Sequence, residues 1–185
     1  MYKSICVTNR HLVKGDYFEQ IRRVAKSRCD AIILREKDMT EEDYHILAQQ
    51  ILTITKEYPI PCILHTFTET ALDLHVSAIH LPLADLLSLP AKKLTHFSTI
   101  GVSVHSVPEA ITAFHAGATY LTAGHIFATD CKKGVPPRGL DFLQSVCKAV
   151  PIPVYAIGGI TTENTNDCIL AGAKGVCKMS SYMML

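Results

Sequence analysis

Residues Gly124 to Gly139 read GHIFATDCKKGVPPRG, sixteen positions holding one histidine, one thiol and three cations between an apolar run and an amphipathic one. A segment that long between a strand and a helix is of active-site length. An imidazole is the side chain best suited to take and return a proton near neutral pH, so His125 is the candidate general acid/base. Four other short stretches carry chemistry of another kind: Arg35 and Lys37, Ser103 and His105, Gly158 with Gly159, and Ser180 with Ser181. A Gly-Gly pair lets backbone N–H groups approach an anion, and hydroxyls and cations complete such a site. Together with Lys132 they read as a substrate and phosphate site. Metal chemistry is not expected, because His65, His75 and His80 lack zinc-ligand spacing and no H-E-x-x-H occurs. Cys131 lies beside Lys132 and Lys133, which would lower its pKa, but no partner groups for a nucleophilic cysteine are in view.

The elements that must position these residues alternate along the chain. Lys3–Thr8, Ala31–Leu34, Cys62–His65, Ser77–Leu81, Ser98–Val104, Thr119–Thr122, Val154–Ile157 and Gly175–Met179 are short apolar or β-branched runs that predict eight strands. Helical patterns fill the gaps, at 16–28, 40–58, 68–74, 83–94 (broken by Pro90), 106–117, 140–150 and 162–171. Thr40 and Ser106 are the expected N-caps, and Pro59 and Pro61 stop the second helix. Strands apolar on both faces, alternating with helices, argue a parallel sheet covered on the outside; eight of them argue an α/β fold of the (β/α)8 barrel kind. The C-terminal ends of barrel strands carry the chemistry, and the candidate residues fall there. Gly158 and Gly159 after strand seven, with Ser180 and Ser181 after strand eight, occupy the usual barrel phosphate position. Thr161 and Thr162 are expected to open a helix whose N-terminus adds to it. His105 is either support for the site or a simple cap.

One feature does not suit a complete barrel. Only Ser180–Leu185 follows the eighth strand, too little for the customary last helix. The outer faces of strands eight and one are then expected to be bare, with Lys178 pointing outward and a homodimer as the possible cover.

Composition excludes other classes. With 185 residues the chain suits one domain, residues 1–185. A net charge of +1 without charge blocks gives no face for nucleic acid. Seven cysteines without a C-x-x-C pair read as reduced thiols, and no apolar run reaches 18 residues, so a cytoplasmic protein without a membrane segment is expected.

The segments VHSVPEAITAFHAGATYLTAGHIFATDCKKG, IPVYAIGGITTEN and AGAKGVCKMSS, with LREK at Leu34 to Lys37, resemble the thiamine phosphate synthase and TenI superfamily of phosphate-binding barrels. In that family the synthases join a pyrimidine pyrophosphate to a thiazole phosphate. They use an Asn-Asp pair after strand three and an HLGQ-x-D-type stretch after strand four to hold pyrimidine, Mg2+ and pyrophosphate. They also carry a Gln two residues before the strand-two arginine and G-P-x-F-x-T-x-T-K after strand six. Here those positions read His65-Thr66, His80-Leu81-Pro82-Leu83 with only Asp85 in register, Ile33, and Gly124-His125 followed by TDCKKG. The loop is similar to that of the TenI-type thiazole tautomerases, which use a histidine matching His125 to isomerise a carboxythiazole phosphate tautomer to its aromatic form. The resemblance implies tautomerase activity without cofactor or metal, with Arg35, Lys37 and Lys132 lining the pocket. The alternative function is a non-catalytic thiazole-phosphate or thiamine-phosphate binder; a residual synthase comes third.

Overall fold

The computed structural model describes residues 2–185, except the side chain of Cys131. The expected strands form β1 (Lys3–Val7), β2 (Ala31–Leu34), β3 (Cys62–His65), β4 (Ala78–Pro82), β5 (Thr99–Val104), β6 (Tyr120–Gly124), β7 (Val154–Ile157) and β8 (Gly175–Lys178). Each pairs in parallel with its successor and β8 pairs back with β1, so the sheet is a closed barrel. Around it run α1 (Tyr17–Lys26), α2 (Glu41–Glu57), α3 (Thr68–Asp73), α4 (Leu83–Ser88), α5 (Ala91–Leu94), α6 (Val107–His115), α7 (Gly139–Ala149), α8 (Thr165–Leu170) and α9 (Ser180–Met183).

The helix starts follow from side-chain chemistry. Asp16, Thr40 and Ser106 accept hydrogen bonds from the N–H groups of Glu19, Asp43 and Glu109. Each such cap is worth about 1 kcal/mol. Pro90 interrupts the fourth helical segment and leaves α4 and α5 on either side of it.

The period-two alternation of the strands divides the apolar residues into two cores. Cys6, Ile32, Leu34, Leu64, Ile79, Leu81, Val102, Leu121, Ala156 and Val176 face the helices. Ile5, Val7, Ala31, Ile33, Ile63, Tyr120, Tyr155 and Cys177 fill the barrel interior. Lys178 has the opposite parity from the interior Cys177 and lies on the outside, within electrostatic reach of Glu163 and Cys168.

Two expectations need correction. The helix read from Thr162 begins only at Thr165. Thr161 and Asn164 bond each other instead, with the Thr161 N–H donating to Asn164 Oδ1 at 2.8 Å, so that N–H is spent. With six residues, α8 supplies no dipole argument for an anion. The outer faces of β8 and β1 are also not bare. Cys6 and Val176 are 0% exposed, and the short α9 puts Tyr182 and Met183 into the same outer core. The Tyr182 hydroxyl donates to Ser4 Oγ at 2.7 Å, and Gln20 of α1 donates to the Tyr182 carbonyl at 2.6 Å. The reason for expecting a second copy over that sector is thereby removed. No helix among the described residues is long and apolar enough to cross a membrane.

Candidate active site

The mouth of the barrel, at the C-terminal ends of the strands, is built in tiers. His65, His80, Gly101 and Tyr120 lie side by side in register across β3 to β6. A side chain at Gly101 would have its Cβ 2.1 Å from Tyr120 Cζ and 2.4 Å from His80 Nδ1, so the glycine is what lets these two meet. His80 Nδ1 lies 2.9 Å from the Tyr120 hydroxyl, and its Nε2 lies 2.9 Å from Ser103 Oγ. Ser103 and Thr122 form the next register pair, their hydroxyls 3.2 Å apart. The imidazoles of His65 and His80 stack at 5.5 Å. Burial, then for His65 its neighbour His80, and for both the cations Lys37 and Arg35, push their pKa values down to about 2 and 3 respectively. Both are neutral at physiological pH.

His125 stands one step further out, at the end of β6, and is buried. Its Nε2 lies 3.2 Å from the Val135 carbonyl oxygen. A carbonyl only accepts, so Nε2 carries the proton and Nδ1 is the free lone pair of the neutral ring. The loop that begins here is tied down at both ends. Arg138 N–H donates to the His125 carbonyl at 2.9 Å, Gly139 N–H to that of Ile126, and Phe127 N–H to that of Gly158. Gly158 and Gly159 both have positive φ, 96° and 66°. A Cβ on Gly158 would sit 2.2 Å from His125 Cβ, and one on Gly159 would sit 2.4 Å from the Ala128 carbonyl oxygen. The glycine pair therefore seats the histidine loop, a role its sequence reading as an anion site did not include. Ser180 and Ser181 are exposed on the first turn of α9 at the same end.

The cations come from two loops. The Lys37 ammonium is held below its ordinary pKa by desolvation, Arg35 and Lys132, against the opposing pull of Asp85. Lys37, past the end of β2, is thus within electrostatic reach of Arg35 beside it and of Lys132 in the β6 loop. Between Arg35 and Lys37 the chain turns Glu36 inward, a residue the sequence reading passed over. It is 2% exposed and accepts from Thr8 Oγ1 at 2.8 Å, the Tyr17 hydroxyl at 2.9 Å, and the N–H and guanidinium of Arg10. Arg35 N–H donates to Thr8 Oγ1 at 2.9 Å. The signal for Glu36 was its place, alternating between two cations straight after a strand.

His105 is not part of this assembly. Its N–H donates to Glu109 Oε2 at 2.7 Å and its exposed ring lies 3.3 Å from the same carboxylate, so it belongs to the start of α6. The suggested activation of Cys131 falls on a side chain outside the described residues. The other six cysteines are free thiols.

A magnesium ion suited to a pyrophosphate would need carboxylate and other oxygen donors. The site offers neutral His65, Thr66 and a lone Asp85, and no three potential ligand groups among the described residues come together. The donor set does not fit. Thr66 nevertheless has φ 69°, unusual for a β-branched residue, while its hydroxyl lies 2.6 Å from His65 Nδ1.

The arrangement brings a buried imidazole and several cations to one end of the barrel, groups whose chemistry suits an anionic ligand and proton transfer. Comparison with known proteins agrees at the level of family. The profile of the thiamine monophosphate synthase family, TMP-TENI, matches residues 4–182. A thiamine-phosphate synthase of Clostridium acetobutylicum is 34% identical over 184 residues, covering 98% of this chain and 87% of its own. Thiamine-phosphate synthase 2 of Streptococcus pneumoniae is 32% identical over 179 residues, covering 96% and 85%. The thiamine phosphate pyrophosphorylase structure from Pyrococcus furiosus superposes with a TM-score of 0.85 at 28% identity, covering 100% of this chain and 88% of that one. With an (β/α)8 barrel that carries its candidate site at the strand ends, the chain belongs to the thiamine monophosphate synthase family.

Proposed function

We propose that the chain is a thiazole tautomerase acting on a carboxythiazole phosphate, with His125 as general acid and base. The observation that carries this reading is a buried imidazole at the barrel mouth with Nε2 on the Val135 carbonyl, where a synthase pattern has proline. Nδ1 takes the proton from the ring carbon bearing the carboxylate. The C–H electron pair moves into the ring, and the imidazolium returns a proton to the exocyclic alkene carbon, leaving the aromatic product. The positive-φ turn at Gly158 and Gly159, with Ser180 and Ser181, takes the phosphate. Arg35, Lys37 and Lys132 offset the charge. His105 has no part in it.

A second reading, thiamine phosphate synthase, is favoured by the names of the relatives and by the three cations, which would suit a pyrophosphate. Against it stands a donor set that does not fit magnesium. The experiment is to follow aromatic product formation from the tautomer by ultraviolet absorbance with wild type and His125→Ala, beside a coupling assay for thiamine phosphate. The tautomerase reading expects acceleration that falls by about 10²- to 10⁴-fold in the variant. No rate above the spontaneous reaction would overturn it, in favour of the synthase if coupling is seen and of a non-catalytic binder if the product only binds.

A further inference from the structure

We infer that His80 is a positioning residue that selects for a carboxylate on the ligand, by fixing the half-buried Ser103 hydroxyl as a hydrogen-bond donor on the inner face of the barrel. This rests on the carboxythiazole phosphate reading above and adds where each end of that ligand lies.

Tyr120 is buried, and His80 Nδ1 at 2.9 Å is the partner of its hydroxyl among the described residues. If Nδ1 carried the proton, it would donate to Tyr120, and the tyrosine proton would be left buried without an acceptor, at a cost of about 1–3 kcal/mol. The favourable arrangement has Tyr120 donating to Nδ1, which leaves the imidazole proton on Nε2. Nε2 then donates to Ser103 Oγ at 2.9 Å, with Thr122 Oγ1 further off at 3.4 Å. A serine oxygen that is already accepting turns its own proton elsewhere, to Thr122 or to a ligand. Ser103 is the half-buried member of the network, while His80 and Thr122 are buried, so it is the one that meets a ligand.

With Thr122 Oγ1 at 3.2 Å as its acceptor in the free protein, the Ser103 proton is the one the tier can turn to a ligand acceptor. Arg35 and Lys37 supply positive potential over the same histidines, which favours an anionic acceptor. The phosphate is assigned to the other side of the mouth, at the ends of β7 and β8. The remaining anionic group of the ligand is its carboxylate, and the inner face on β4, β5 and β6 suits it.

The test uses calorimetric titration of the full chain with two probes, the aromatic carboxythiazole phosphate and the thiazole phosphate lacking the carboxylate. His80→Leu and Ser103→Ala are expected to weaken the first by about tenfold or more, the loss of one hydrogen bond to a charged group, and to change the second by less than about threefold. His80→Gln, which can accept from Tyr120 and donate to Ser103, restores binding of the first. Imidazole ¹⁵N shifts in the wild type report His80 protonated at Nε2. Equal weakening of both probes, no weakening of either, or an Nδ1-protonated His80 overturns the inference while leaving the ligand reading intact. Failure of the wild type to bind either probe overturns both.

Discussion

At the scale of single residues the site depends on what is missing as much as on what is present. Gly158 has φ 96°, and any Cβ there meets His125 Cβ at 2.2 Å. Both the backbone and the packing resist a side chain, so Gly158→Ala is expected to cost about 1–3 kcal/mol and to push His125 out of place. Gly15, with open space where its Cβ would be, is the control. Gly15→Ala is expected to stay within about 0.5 kcal/mol of wild type. Urea denaturation and the tautomerase assay together check this. A Gly158→Ala protein with unchanged stability and unchanged rate would show that the glycine neither seats nor orients the histidine.

At the scale of elements the informative unit is the end of β2. Past the end of β2, Arg35 is half-buried and Lys37 exposed, while Glu36 between them is buried where hydroxyls from Thr8 and Tyr17 and the Arg10 guanidinium close around it. Asp38 takes the rest of Arg10 at 2.7 and 2.5 Å, and that pairing, with His11, holds its carboxyl well below the usual range. One buried carboxylate thus joins the loop after β1 to the strand end that presents the cations. Glu36→Ala would strand the buried Thr8 hydroxyl and the half-buried Tyr17 hydroxyl and leave Arg10 on Asp38 alone, at an expected cost of about 2–4 kcal/mol. Its effect on catalysis should fall mainly on KM, because the cations bind and do not react. Glu36→Gln, which keeps an acceptor, should recover part of both. A loss of kcat with KM unchanged would contradict the positioning role.

At the scale of the whole molecule, much of the architecture could be read from the chain because the strands are short apolar runs separated by helical patterns, several of which open on a cap or stop at proline. Thr40, Ser106 and Pro90 act where the chain order predicts. The sealing of β8 against β1 could not be read, since it depends on Tyr182 reaching Ser4 across 178 positions. His65 and His80 were dismissed for lacking metal spacing, yet parity in β3 and β4 places them inside the barrel, and only the three-dimensional register shows what they meet. That buried pair has a consequence for global stability. Folding holds His65 and His80 at about 2 and 3, below their ordinary value of about 6.5, through burial and the nearby Lys37 and Arg35. The unfolded chain therefore binds more protons than the folded one below pH ~6.5, so stability is full above that value and declines as pH falls toward the folded pKa. Between pH 6.5 and 5.5 each histidine should withdraw about 1 kcal/mol. Thr66, Ser103 and Tyr120 bond these rings without adding charge, so they do not reverse the sign. Urea denaturation at the two pH values measures it, and the difference between wild type and His80→Gln reports the His80 ring, His65 staying buried and held down by Lys37 and Arg35 in the variant. The variant should lose about 1 kcal/mol less than wild type over that interval; an identical loss in both would mean that His80 is not held neutral by the barrel interior.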